Sequence, residues 1–311
     1  MLDTIKHEIC SLLKSKVLID EPLKRHTTFG VGGLASLFIY PSDINDLKII
    51  LKYSIKNKIK TFFMGSGSNL LVSDNGFDGI VICLRKSFKH FEVNDSLEVK
   101  IGTGVMLGHI VRTLTKKSVK GLESLIGVPG TLGGALIMNA GAYGSEISNY
   151  LVSIKSISLD GKEKLYFKDD LDFSYRYSSI PKNEIVVEAK FKFEIGSLNQ
   201  IKIKKEKASQ SRRENQPLQF RSAGSIFKNP NINMAAGYLI DQANLKGIRI
   251  GDAEISTKHA NFIINHGNAS SDNIIKLIKI IKKEVFLKFK INLELEVKLM
   301  GFNSVELEGI A

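Results

Sequence analysis

Tryptophan is absent from this chain of 311 residues, and only two cysteines are present, Cys10 and Cys83. Two thiols are too few for a disulfide scaffold or a cysteine-rich zinc site, and the count suits a reducing compartment. Six histidines occur. None forms a His-x-x-x-His pair or has a carboxylate at ligand spacing, so no metal is expected. Internal repeats and low-complexity linkers are also missing. The N-terminal stretch 1–21 lacks the apolar core of a signal peptide and reads as a short amphipathic helix. The one long uncharged stretch, 124–145, is broken by Gly127, Gly130, Gly133, Gly134, Gly141 and Gly144, with Pro129, Thr131 and Asn139 among them. A membrane-spanning helix needs about 20 mostly apolar residues. The expectation is a soluble, cytoplasmic protein.

What is present is globular: 43% hydrophobic and 24% charged residues. At about 150 residues per domain, two domains are expected. The formal charge is +12. An excess of that sign suits nucleic acid, an anionic membrane or a phosphorylated small molecule. The lysines are scattered, however, and the aromatic residues do not interleave with them as in single-strand binders. The excess reads mainly as solvated surface.

The hydrophobic pattern predicts a helix over 43–57 capped by Asp43, with Leu47, Ile50, Leu51 and Ile55 on one face. Strands are expected at Ala35–Tyr40, Thr61–Met64, Gly79–Leu84 and Leu97–Ile101. Two long alternating runs, Leu151–Leu159 and Ile185–Ile195, predict paired antiparallel strands. Helices are expected over 199–214, 235–244 and Ser271–Phe289, the last capped by Ser270 or Ser271. Leu293–Leu299 reads as a closing strand that places Glu294 and Glu296 on one side. The fold class is α+β without a regular βαβ repeat.

Five segments carry chemistry. Gly65, Ser66, Gly67, Ser68 and Asn69 follow a strand, and they suit either a pyrophosphate cradle or a tight turn. No Gly-Lys-Ser/Thr follows, so this is not a Walker A loop. Gly127, Pro129, Gly130, Thr131, Gly133 and Gly134 run on to Asn139, Gly141 and Ala142. Glycine at this density points to close backbone approach by a large flat or phosphorylated ligand. Tyr175 and Arg176 place a guanidinium among aromatic and hydroxyl groups, suited to gripping a carboxylate or phosphate, or to stacking at a surface. Ser225, Lys228 and Asn229 lie in a segment of small residues that has no Gly-x-Ser-x-Gly elbow, so a hydrolase is disfavoured. His259 lies close to Asn261.

Taken together, these stretches resemble the UDP-N-acetylenolpyruvoylglucosamine reductases, FAD enzymes of peptidoglycan precursor synthesis, in their shorter type. The matching segments are HTTFGVGG (26–33), GSGSNLLVSD (65–74), GLESLIGVPGTLGGALIMNAGAYG (121–144), FSYRYS (173–178), SAGSIFKNP (222–230), AAGYLIDQANLKGIRIGDAEIS (235–256), KHANFIIN (258–265) and LELEVKLMG (293–301). They stand in the family's order and cover most of the chain. One departure is Lys298, where many members carry arginine.

The resemblance implies a vanillyl-alcohol-oxidase-like FAD-binding region over 1–198, with subdomains at about 1–64 and 65–198. A smaller α+β substrate-binding domain over 199–311 would follow. It implies that NADPH reduces a non-covalently held FAD, which then reduces the enolpyruvyl ether of a UDP-sugar. Arg176 and Glu296 would polarise the substrate carboxylate, with the Glu296 pKa raised, and Ser225 would give the proton. Residues 65–69 would hold the cofactor, with Gly127, Pro129, Gly130, Thr131, Gly133, Gly134, Asn139, Gly141 and Ala142. Tyr175, Arg213, Lys228, Asn229 and His259 would hold the substrate. Its partners would be small molecules rather than nucleic acid or membrane, and a monomer is favoured. The alternatives are an FAD oxidase on the same cofactor fold and, from charge alone, a nucleic-acid-binding protein.

Overall fold

The structure is a computed structural model and describes residues 8–231 and 233–310. Two compact units emerge. The first holds the residues up to Ile19, Leu37–Ser66 and Gly79–Arg212; the second holds Asp20–Ser36, Gly67–Asp78 and the residues from Arg213 on. Both units are discontinuous in sequence, and the helix Leu198–Asn215 spans the boundary expected at 198/199. Of the expected N-terminal helix, residues 8–12 are helical; the first seven lie outside the described residues.

In the first unit the helix Ile44–Lys56 begins as its sequence requires, with the Asp43 carboxylate accepting from Asp46 N at 2.9 Å. Its buried Leu47, Ile50 and Leu51 pack with Ile80 and Ile82, which belong to the strand Phe77–Cys83. That strand runs parallel to Thr61–Met64. A second, wholly antiparallel sheet has the order Glu163–Phe167, Leu151–Ser158, Glu184–Lys192, Glu98–Gly102, Phe91–Val93. Both faces of its central strand Glu184–Lys192 are buried. Ile185 and Val187 enter the core with Leu47, while Val186, Ala189 and Phe191 enter another core with the helix Leu107–Lys116. Burial on two sides explains the nearly continuous apolar run: side chains alternate between the two layers, and the register shift at Val187 carries Ala189 and Phe191 into the layer of Val186. Each fully buried aliphatic or aromatic side chain stabilises such a core by about 1.5–3 kcal/mol.

The glycine-rich stretch is not all loop: Leu132–Ile137 is helical. Gly133 belongs in it because an added Cβ would lie 3.2 Å from Thr103 Cβ.

In the second unit the helix Ser271–Phe289 presents Ile274, Ile278, Ile281 and Val285 to a core shared with Ile255 and Ile263. Ser270, not Ser271, caps it: Ser270 Oγ accepts from Asn273 N at 3.1 Å, and Asn273 Oδ1 accepts from Ser270 N at 3.2 Å. This reciprocal pair satisfies donors that would otherwise be orphaned at the helix start. The expected closing strand is shorter than its alternation suggested. Only Lys298–Met300 forms one, parallel to Leu70–Val72, and Leu295 makes an isolated bridge to Phe227.

Candidate active site

The two glycine segments meet within the first unit. A Cβ added to Gly65 would lie 2.2 Å from Thr131 Oγ1, so the backbone at 65 fits only without a side chain. Gly65 O accepts from Cys83 Sγ at 3.2 Å, and burial pushes that thiol up to about 11, keeping it a donor. Leu132 N and Gly133 N donate to Val105 O and Thr103 O at 2.8 and 3.0 Å, which fixes the turn at Gly130–Thr131. Gly127 and Gly130 adopt φ of 79° and 146°, open to glycine and strained for other residues.

Arg176 occupies the second position of a two-residue turn that joins Phe173–Ser174 to Tyr177–Ser178. Its φ is 54°. A left-handed backbone at a long side chain is uncommon and stores strain, a feature that clusters at functional sites. Its Nη1 donates to Gly141 O at 3.4 Å, and its guanidinium lies 5.0 Å from the centre of the Tyr175 ring. Arg176 is thereby brought to the 139–142 segment.

Asn139 plays an internal part. It is fully buried. Its Nδ2 donates to Glu146 Oε2 at 2.7 Å and to Ser174 O at 3.1 Å, while its Oδ1 accepts from Ser148 N at 3.4 Å. These bonds occupy its amide. Ala142 pairs with Ser145 and Gly141 with Glu146, so the hairpin of Arg176 and the 139–146 turn brace each other.

Arg212 is the residue that sequence reasoning missed. Its Nε is buried without a hydrogen-bond partner, and its Cδ would lie 3.1 Å from a Cβ on Gly127. Burial pulls its pKa down, the Tyr143 hydroxyl raises it, and the charge of Arg176 lowers it again. A signal was available. Ile201 and Ala208 are the buried positions of the helix Leu198–Asn215, and Arg212 follows Ala208 by four, whereas Arg213 is turned off that face. Arg213 is exposed.

The second unit holds the other expected residues. Ile226 N donates to Asn261 O at 2.9 Å; Glu296 N donates back to Ile226 O at 2.8 Å, and Lys228 N to Glu294 O at 2.9 Å. This short antiparallel ladder sets Ser225 on the segment beside Glu296. Gly224, at φ 78° with open space around its Cβ direction, turns the chain just before the serine. Asn261, also unassigned from sequence, secures the segment. Its side chain donates to Phe227 O at 2.8 Å and accepts from Phe227 N at 2.9 Å, imitating a peptide group.

From the glycine loop, Asn69 Nδ2 donates to Glu296 O at 3.0 Å. Lys228 Nζ is paired with the exposed Glu294 at 2.6 Å. Asn229 Oδ1 accepts from Ala236 N at 3.1 Å, at the start of the helix Ala236–Gln242. His259 is half-buried, its ring 4.7 Å from that of Phe262; burial lowers its pKa, with a further lowering from Lys246. Among the described residues no three His, Cys, Asp or Glu side chains gather as metal ligands, and no helix is long and apolar enough to cross a membrane.

In the first unit, glycine backbone at 65 and 127–134 stands with a buried guanidinium nitrogen that has no partner. That donor set fits a flavin dinucleotide, which carries a diphosphate and carbonyl acceptors.

Comparison with known proteins agrees. A family model described as an FAD binding domain matches residues 35–164, and one described as the C-terminal domain of UDP-N-acetylenolpyruvoylglucosamine reductase matches 216–300. The chain is 38% identical over 302 residues to the UDP-N-acetylenolpyruvoylglucosamine reductase of Bacillus pumilus, covering 96% of this chain and 99% of the relative. It is 38% identical over 303 residues to that of Caldanaerobacter subterraneus subsp. tengcongensis, covering 97% and 99%. The crystal structure of the Thermus caldophilus reductase superposes with a TM-score of 0.79 at 32% identity, covering 93% of this chain and 100% of that one. The fold class expected from the sequence is the one found: an FAD-binding domain of the vanillyl-alcohol-oxidase type with a second domain of mixed helices and strands. An FAD-dependent oxidoreductase, the chain belongs to the UDP-N-acetylenolpyruvoylglucosamine reductase family.

Proposed function

We propose that the protein reduces the enolpyruvyl ether of UDP-N-acetylglucosamine enolpyruvate to UDP-N-acetylmuramate at the expense of NADPH, a step of peptidoglycan precursor synthesis in the cytoplasm. The domain roles follow: cofactor binding in the region up to 198, substrate binding in 199–311. The observation that carries this reading is the ladder between 226–228 and 294–296, which puts a hydroxyl-bearing residue, Ser225, beside a carboxylate-bearing one, Glu296.

When bound, FAD supplies the hydride. An enol ether accepts hydride poorly unless its carboxylate is polarised so that negative charge can collect there. Arg176 supplies positive charge for that purpose. Glu296 shares a proton with the carboxylate, which requires a raised pKa. Ser225 then gives its proton to the adjacent carbon. A serine hydroxyl is a weak acid, but an enolate-like carbon is a strong base. Tyr175, Lys228, Asn229, Arg213 and His259 hold the UDP-sugar. The Lys228 ammonium is exchanged from Glu294 to a diphosphate oxygen, a low-cost exchange because exposed ion pairs contribute little.

Anaerobic stopped-flow spectroscopy on each half-reaction is the test. Ser225→Ala keeps its FAD and its reduction by NADPH, while reoxidation by the enolpyruvyl substrate slows by about 10²–10⁴, the usual loss for a positioned acid. Glu296→Gln shows the same split. If Ser225→Ala blocks NADPH oxidation and leaves reoxidation at wild-type speed, the proton-donor role is wrong. A flavoprotein that reduces oxygen as fast as the enolpyruvyl substrate would be an oxidase instead.

A further inference from the structure

A cleft of about 550 Å³ opens in the second unit between residues 24–28 and 218–222. Its walls bring together Lys24, Arg25 and Arg221 with the polar side chains of Thr28, Gln219 and Ser222. Three cations share one concavity. Of the three, Arg25 has an acid at 4.0 Å, Glu21, which is also bound to His26 at 2.9 Å. Lys24 and Arg221 make no ion pair among the described residues. Lys24 and Arg221, like charges without an ion pair of their own, repel one another, and an anion of charge two relieves that repulsion.

The arrangement is built rather than accidental. Gly30, at φ 68°, leaves the berth in which the Arg221 guanidinium lies; a Cβ there would fall 2.3 Å from Nη1 and 2.8 Å from Cδ. Buried Asn265 ties both walls: its backbone N donates to Arg221 O at 2.9 Å, and its Nδ2 donates to Phe29 O at 2.9 Å. Thr28 N donates to Gly67 O at 3.1 Å, which joins the cleft to the glycine loop. Phe220, edge-on to His266 at 5.0 Å between centroids, lines the same cleft and offers an apolar face. Guanidinium forks with hydroxyl and amide groups recognise a phosphomonoester, and an adjacent aromatic ring suits a base.

We propose that this cleft binds a phosphomonoester on a nucleotide, namely the adenosine 2′-phosphate that distinguishes NADPH from NADH. The naming of NADPH rests on the reaction proposed above; the phosphomonoester site does not. Lys24, Arg25 and Arg221 are exposed, so their replacement leaves the cores untouched.

The experiment uses the full FAD-loaded protein and two probes, 2′,5′-ADP and 5′-AMP, by calorimetry. Lys24→Gln with Arg221→Gln weakens 2′,5′-ADP by at least about tenfold, the scale of losing one charge-assisted contact, and leaves 5′-AMP nearly unchanged. In turnover the same variant raises KM for NADPH by a similar factor, leaves KM for NADH and for the UDP-sugar as they were, and Arg221→Lys recovers part of the loss. Unchanged 2′,5′-ADP binding overturns the site. A rise in the KM of the UDP-sugar with NADPH unaffected assigns the cleft to the other substrate and overturns the proposal as well. If the wild-type protein binds 2′,5′-ADP through these residues yet oxidises no NADPH, the reaction fails and the site stands.

Discussion

Asn69 is tied in both directions to the segment that begins at Glu296. The Asn69 amide donates to Glu296 O at 3.0 Å, and two residues further on Lys298 N donates to Asn69 O at 3.0 Å. A residue of the glycine loop therefore sets the backbone of the segment that carries the expected catalytic carboxylate. Leu70–Val72 then continues as a parallel partner of Lys298–Met300.

Asn69→Ala removes the side-chain half of this tie. The expected cost is about 1 kcal/mol in stability, the net worth of one hydrogen bond. Catalysis is expected to suffer more, because a displacement of an ångström at a reacting group can cost about 10²-fold. Thermal unfolding and substrate-dependent flavin reoxidation on the same preparation check the split. Equal small losses in both would make Asn69 a stabilising residue only.

Much of this arrangement was legible from residue types, and some was not. The helix Ile44–Lys56 with its Asp43 cap was legible because it obeys local rules that need no partner, while the choice between Ser270 and Ser271 as the other cap needed the structure. The closing strand was overextended because Leu293 to Leu299 alternates for a different reason. Leu293 and Val297 are buried in the core of the second unit, while Glu294 faces out to Lys228. Alternation records burial, not pairing, and pairing here begins only where Leu70–Val72 is available. Asn139 and Asn261 could be seen as polar residues in the right places, but their roles depend on carbonyls that only folding brings near. Arg212 was passed over beside Arg213, although the helical period from Ile201 and Ala208 points to it.

Asn261→Leu tests how the serine segment is secured. Phe227 is fully buried, so both its N–H and its C=O lose their partner at once. An unsatisfied buried polar group costs about 1–3 kcal/mol, and the pair should lower stability by about 2–5 kcal/mol in denaturant titration. A loss under about 1 kcal/mol would mean that another group, or water, replaces the amide.

Arg212→Met separates a ligand contact from a structural one. The Arg212 Nε is buried without a hydrogen bond. Removing a cation from such a place relieves its desolvation, so the FAD-free protein should keep or slightly raise its melting temperature. The rise in melting temperature on adding FAD should shrink, since it follows the binding constant. A destabilised FAD-free protein with an unchanged FAD response would place Arg212 in the packing alone.

His259 sets the sign of one pH effect. Burial, with a further push from Lys246, holds its folded pKa below the ordinary histidine value of 6.5. Between that lower folded pKa and the unfolded one, the unfolded chain binds more protons, so stability rises with pH across this window. Above about 6.5 the neutral ring is present in both states and the effect vanishes. On acidification the folded protein must either charge a half-buried imidazole or release it. His259→Gln removes the titration. The mutant should therefore lose less stability than the wild type between about pH 6.5 and 5, measured by denaturant titration at each pH and compared as a difference. If the two curves run parallel across that window, His259 does not change its proton affinity on folding.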